Sequence, residues 1–172
     1  MLMLCEVEKS REKRMDYDLI YFAPCTALGI NLTEKALTHI TFLPGFDASL
    51  LQISPRTDAL AKNVIRQLDI YFQDPSYQFD LPIKLSGTPY QQAVWQAIAA
   101  IPQGQVLSYG TIASTLRSGS RAVGNACGRN PLPIVIPCHR VVGKQGLGGF
   151  NRDKTGAMLN IKRWLLTHEG ID

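Results

Sequence analysis

The residues with the most chemistry in this chain are Cys138, His139 and Arg140, which follow Pro131-Leu132-Pro133-Ile134-Val135-Ile136-Pro137. A thiolate is a strong nucleophile, but a free thiol is only a few per cent ionised at neutral pH. It needs a base or a positive environment, and an adjacent His and Arg can supply both. Neighbours on an extended strand point to opposite faces, so His139 would act through a water. A Cys-His pair by itself also fits a core thiol beside an incidental histidine. The run Pro137-Cys138-His139-Arg140 is more specific. Cys5, Cys25 and Cys127 form no C-x-x-C pair and have no histidine at zinc-finger spacing. They read as reduced, unreactive thiols, and no metal site is expected.

The elements around Cys138 are legible from local signals. The three prolines make residues 131–137 rigid and non-helical. Thr88 and Gln91 form a capping box, Pro89 takes the first helical position, and Val94, Trp95, Ile98 and Ala99 continue that helix. Ser108 caps a short helix over Tyr109 to Leu116. After Arg117-Ser118-Gly119, a second helix runs from Ser120 or Arg121 to about Gly128. The two make a helix-turn-helix candidate. The second helix contains Ala122, Gly124, Ala126 and Gly128 between Arg121 and Arg129. Its small residues suit either tight packing on a neighbour or close insertion into a nucleic-acid groove. Gly143, Gly146, Gly148 and Gly149 form a loop, and a last helix covers Gly156 to His168. Its apolar stripe is Met158, Ile161, Trp164, Leu165 and His168, and this helix is expected to cover Cys138.

The first part reads differently. Tyr17–Ala23, Gly29–Thr33 and Leu37–Phe42 are strand candidates. A helix is expected from Pro55 to Gln73, capped by Ser54, with Leu60, Ala61, Val64, Ile65, Leu68 and Phe72 on one face. No catalytic constellation is visible there. The fold class is α+β: a small N-terminal sheet-plus-helix domain over 1–80 (1–15 loosely ordered), a linker over 81–86, and a mainly helical C-terminal domain over 87–172.

Charge divides the chain the same way. Up to Asp80 there are eleven acidic and eight basic residues. From Leu81 onward ten basic residues face only Asp153, Glu169 and Asp172, a net of +7 within the overall +4. Such a stretch suits a polyanion such as DNA or RNA, or an ordinary solvated basic face. No stretch approaches the roughly 18 apolar residues of a membrane span. The first four residues are too short for a signal-peptide core. A cytoplasmic protein is expected.

From Gly87 to Gly170 the sequence resembles the O6-alkylguanine-DNA alkyltransferases, also called methylated-DNA–protein-cysteine methyltransferases. The resemblance rests on Pro89-Tyr90-Gln91-Gln92 with Trp95, Ile101-Pro102-Gln103-Gly104, Ser108-Tyr109 and Arg121-Ala122-Val123-Gly124. It continues through Asn130-Pro131, Ile136-Pro137-Cys138-His139-Arg140-Val141-Val142, Trp164-Leu165-Leu166 and His168-Glu169-Gly170. It implies a ribonuclease-H-like N-terminal domain and a winged-helix-like C-terminal one. It also implies irreversible, single-turnover transfer of an alkyl group from O6 of guanine, and O4 of thymine, to Cys138.

The resemblance further implies roles for individual residues. His139 and Glu169 would form a relay that takes the thiol proton through a water, and Asn130 would brace the reactive segment. Tyr109 would crowd the 3′ phosphate and donate a proton to the leaving guanine. Arg121 would enter the base stack as the target nucleotide is flipped out. The minor groove of double-stranded DNA would meet Arg117 and the Arg121–Arg129 segment, including Ala122, Gly124, Ala126, Cys127 and Gly128. Tyr109, Pro133, Val141, Phe150 and Asn151 would line the base pocket, with Phe150 standing where the family usually has Tyr. No cofactor, zinc or membrane is implied, and a monomer is expected. Lesion sensors of the same fold carry Trp in place of Cys138. A cysteine hydrolase built on Cys138, His139 and Glu169 would need an oxyanion hole, and the sequence offers none.

Overall fold

The computed structural model describes residues 17–47, 56–151 and 156–171. Cys5, Ser54, Pro55, Arg152, Asp153, Lys154 and residues 1–15 lie outside that range. Three strands, β1 (Leu19–Phe22), β2 (Ala27–Leu32) and β3 (Leu37–Leu43), form an antiparallel sheet in the order β1-β2-β3. β2 is central and buried along almost its whole length. Gly29 sits in it because the Tyr17 ring lies 2.6 Å from where a Cβ would be.

Helix α1 (Ala59–Gln73) starts later than expected. Asp58 caps it, accepting from the Ala61 amide at 3.0 Å. Asp is as good a cap as Ser, and here it ends the segment that can be helical. The helix buries Ala61, Val64, Gln67, Leu68 and Tyr71. Residues 81–86 are not a free tether. Leu37 donates to the Pro82 carbonyl and accepts from the Lys84 amide, so this segment lies along β3. Buried Gln67 pairs with both backbone groups of Asp80.

Helix α2 (Pro89–Ala99) begins with the Thr88–Gln91 capping box and Pro89 in its first turn. A two-residue strand β4 (Leu107–Ser108) leads into α3 (Tyr109–Thr115), capped by Ser108. Helix α4 (Ser120–Cys127) follows after a tight turn. The buried Trp95 indole donates to the Ala126 carbonyl at 2.9 Å, which holds α4 on α2. Strand β5 (Val141–Val142) pairs in parallel with β4, Leu107 opposite Val141. Helix α5 (Ala157–His168) closes the chain.

The architecture is therefore mixed α+β, with five helices and two small sheets among the described residues. Buried apolar residues form one cluster from Leu19 in β1 to Leu165 in α5. None of the described helices is long and apolar enough to cross a membrane.

Candidate active site

The β4–β5 pairing places the site. Tyr109 follows β4 directly and Arg140 precedes β5 directly, so a pairing of two residues sets the start of α3 beside the turn that carries Cys138. The segment leading into that turn is held by Asn130. Its amide donates to the Ile136 carbonyl at 2.8 Å, and its oxygen accepts from the Leu132 amide at 3.0 Å. Within the segment Ile134 has φ 77°. A β-branched residue resists the left-handed region, at a cost of about 1–3 kcal/mol. The bracing around it keeps it there, and the Pro131 carbonyl is tied to Ile40 of β3 as well.

Cys138, His139 and Arg140 form a single 3-10 turn, not an extended strand. Three residues per turn separate the three side chains by about a third of a circle each, so all can reach different partners. Cys138 is only 6 % exposed. Burial pushes its thiol above the ordinary range, against the opposing effects of the Asn130 side chain and Lys162. It therefore rests as a thiol.

His139 is fully buried. Its Nε2 lies 2.9 Å from Glu169 Oε1, while Nδ1 has no hydrogen-bond partner among the described residues. Burial holds the imidazole below its usual pKa, and the neighbouring Arg140 and Lys162 charges add to this against the pull of Glu169. Burial alone would raise Glu169. The hydrogen bonds and charges of His139 and Arg140 reverse that and bring it to about 2. An ionised carboxylate only accepts, so the proton of neutral His139 sits on Nε2. The Nδ1 lone pair is left free to take a proton.

Arg140 was expected to polarise the thiol, but its guanidinium is committed to Glu169. Nε donates to Oε2 at 2.8 Å, Nη2 to Oε1 at 2.9 Å, and Nη1 to the Ile101 carbonyl at 2.6 Å. Two further residues stand in the site without having been singled out from the sequence. Tyr71 of α1 donates to Glu169 Oε1 at 2.9 Å. Lys162 of α5 has no exposed surface. Its Nζ donates to the carbonyls of Val141, Leu147 and Gly149 at 2.6, 2.5 and 3.1 Å. Both sit in the apolar stripe of an amphipathic helix, at i+3 from Leu68 and i+4 from Met158. A polar residue at such a position was the available signal.

A cleft of about 620 Å³ opens in front of Cys138. Tyr109, Phe150 and Asn151 line one part of it, and Arg121, Gly124, Cys127, Gly128 and Arg129 of the α4 region line another. Tyr109 is anchored by its hydroxyl to the Gly149 carbonyl at 3.0 Å. The chain passes close there, for a Cβ on Gly148 would lie 2.8 Å from the Tyr109 ring. Phe150 is buried and packs against Phe42 of β3, with centroids 5.4 Å apart. Cys127 is a second thiol in the cleft, pushed up to about 12 by burial first and the neighbouring Cys138 second.

One family model, the DNA-binding domain of 6-O-methylguanine DNA methyltransferase, matches residues 89–171. The chain is 36 % identical over 152 residues to the methylated-DNA–protein-cysteine methyltransferase of Saccharolobus solfataricus, covering 88 % of this chain and 94 % of that one. The chain belongs to the methylated-DNA–protein-cysteine methyltransferase family. The relative from Methanosarcina acetivorans is 34 % identical, over 90 % of this chain and 98 % of its own length. Among solved structures, Mycobacterium tuberculosis OGT in complex with DNA superposes with a TM-score of 0.72 at 35 % identity, covering 87 % of this chain and 90 % of that one.

Three residue assignments drawn from this family's pattern need correction on geometry: Ala126, Pro133 and Val141. Ala126 was assigned to the DNA surface, but it faces inward with Val123, as an eight-residue helix packed on α2 requires. Pro133 and Val141 were assigned to the pocket. Both are buried behind it, and Val141 contributes a carbonyl to Lys162. Helix α5 lies against the Cys138–Arg140 turn, as expected, while Trp164 itself faces α1. Its indole stacks on His168 and packs against Phe72 of α1. Arg117 and Ala122 are exposed and lie outside the cleft.

Proposed function

We propose that this chain repairs alkylated DNA by moving the alkyl group from O6 of guanine, or O4 of thymine, onto the sulfur of Cys138. The observation that carries the reading is one juxtaposition. A nearly buried thiol lies in a cleft rimmed by Arg121 and Arg129, and the next residue in the chain is a histidine with a free Nδ1 backed by an ionised carboxylate.

His139 Nδ1 takes the Cys138 proton through a water, and Glu169 stabilises the imidazolium that results. The sulfur then attacks the alkyl carbon, and the bond from that carbon to guanine O6 breaks. The guanine leaves with the electron pair and accepts a proton from the Tyr109 hydroxyl. The proton held on His139 then passes through water to the Tyr109 phenolate, so both residues end as they began. Thiol plus alkylguanine gives thioether plus guanine, and no cofactor enters the balance. A thioether is not a leaving group under these conditions, so each molecule reacts once.

The cleft falls within the roughly 300–1,000 Å³ of sites that enclose a small ligand, which suits one flipped base. An O6-alkylated base pairs poorly and costs less to extrude. The exposed Arg117, Arg121 and Arg129 suit phosphate and minor-groove contact, and Ala122, Gly124 and Gly128 permit close approach. Helices α3 and α4 act as the helix-turn-helix of a winged-helix-like domain over 87–172. The β1–β3 sheet and α1 form the ribonuclease-H-like partner domain, and 81–86 join the two. The site is complete in one chain, which supports action as a monomer.

Incubation with a duplex containing O6-methylguanine, followed by intact-mass measurement and peptide mapping, tests this. The expected result is one added methyl group on Cys138, none on Cys127, and none in Cys138→Ser. An unchanged mass would refute the assignment.

A further inference from the structure

We propose that Tyr71 is a positioning residue for alkyl transfer, its hydroxyl fixing the Glu169 carboxylate from the α1 side and thereby setting the orientation and basicity of His139. The inference rests on the reading of Cys138, His139 and Glu169 as the proton relay.

The carboxylate of Glu169 is buried and has about four acceptor positions. Four donors meet them: His139 Nε2, Arg140 Nε, Arg140 Nη2 and the Tyr71 hydroxyl. Three of these converge on Oε1 at 2.9 Å. Tyr71 is thus the third donor on an oxygen that His139 and Arg140 already share, and its removal changes the charge left on Oε1 and frees the carboxylate, with the imidazole it orients, to tilt.

The phenol is itself immobile. Tyr71 is 1 % exposed. Its ring meets Phe79 and His168 at centroid distances of 5.4 Å each, and its carbonyl accepts from His168 Nε2 at 2.9 Å. The contact spans 98 residues, so it makes α1, which carries no other group of the relay, part of the relay's support.

A phenol suits this place chemically. It stabilises the anion without adding a positive charge that would further suppress His139. By drawing electron density from Oε1 it also weakens the hold of Glu169 on imidazolium. The titratable groups acting on His139 and Glu169 are Arg140, Lys162 and Tyr71, and Cys25 adds its influence at Tyr71. Among them Tyr71 is the one whose hydroxyl can be removed with its ring kept in place.

The test is Tyr71→Phe in single-turnover transfer from free O6-benzylguanine and from methylated duplex, between about pH 5 and pH 8, where histidine titrates. Loss of the hydroxyl leaves more negative charge on Glu169 for His139, so imidazolium is favoured. The acid limb of the rate profile should move to higher pH by roughly half a unit to one unit. The plateau should fall about three- to tenfold, equally on both substrates. Tyr71→Leu removes the ring packing as well and should melt lower. If Tyr71 only packs, Tyr71→Phe will superimpose on the parent profile, and the inference fails. His139→Gln separates the two levels. Parent-like rates in His139→Gln would sink the relay and this inference with it. Loss of transfer there, with an unmoved Tyr71→Phe profile, would sink the Tyr71 role alone.

Discussion

Replacing Lys162 by Met tests how the wall of the cleft is held. The parent ammonium makes three hydrogen bonds to the carbonyls of Val141, Leu147 and Gly149, all within the loop that follows the reactive turn. Bonds to a charged donor contribute about 1.5–3 kcal/mol each, and carbonyls left buried without a donor add to the loss. Against this stands the burial of the charge itself, which brings Lys162 from 10.5 down to about 8. That shift corresponds to roughly 3 kcal/mol disfavouring the charged form. Taking the lower end for each bond leaves about 1.5 kcal/mol, and the carbonyls left unpaired bring the net destabilisation to about 2–4 kcal/mol.

For a chain of this size that lowers the melting temperature by about 4–12 °C. Gly149 also anchors Tyr109, so the slackened loop should slow transfer by about tenfold. The pH dependence supplies a second check. Lys162 is depressed in the folded state, so between about pH 8 and its ordinary value the unfolded chain holds the proton more tightly. The Lys162 contribution to stability therefore rises with pH across that window. The gap in melting temperature between parent and Lys162→Met should widen from pH 8 to about pH 10, while effects of the raised thiols largely cancel in the difference. Equal melting temperatures and equal transfer rates at pH 7 would refute the argument that this loop hangs on Lys162.

Three other outcomes are expected. Transfer should persist into mild acid, because His139 is held below its ordinary pKa, and rates in buffers descending from about pH 7 should break below 6.5 rather than above it. Arg121→Ala should slow repair of duplex DNA by about tenfold or more while leaving reaction with free O6-benzylguanine nearly unchanged, since only the duplex requires flipping. Equal losses on both substrates would rule out a finger role. Alkylated protein should melt lower than free protein, and the benzyl form lower than the methyl form. Cys138 is nearly buried at the wall of the cleft, and an adduct that presses on that wall overpacks it at a cost of about 1–3 kcal/mol. Unchanged melting temperatures in calorimetry would show that the site accommodates the adduct.

The sequence determined what is local. The Thr88–Gln91 box, Pro89 at the start of α2, the Ser108 cap and the apolar stripes of α1 and α5 involve residues three or four apart, and such spacing is visible in one dimension. The boundary of α1 was ambiguous because Ser54 and Asp58 are both capping residues. Local preference alone cannot choose between two adequate caps. The family was legible too, because the runs around Arg121 and Cys138 are contiguous.

Tertiary structure decided the electrostatics of the site. Nothing in the sequence couples Tyr71 to Glu169 or turns Arg140 from the thiol towards the carboxylate, since both contacts close long loops. The β4–β5 pairing that brings Tyr109 to Cys138 is two residues long, too short for any alternation to announce it. Lys162 looked like one more member of a basic half. Only packing shows that it is buried and committed to carbonyls while Arg121 and Arg129 remain exposed at the cleft. A charge is a property of a residue, but its consequence depends on whether water or a buried partner faces it. That is settled when the chain folds.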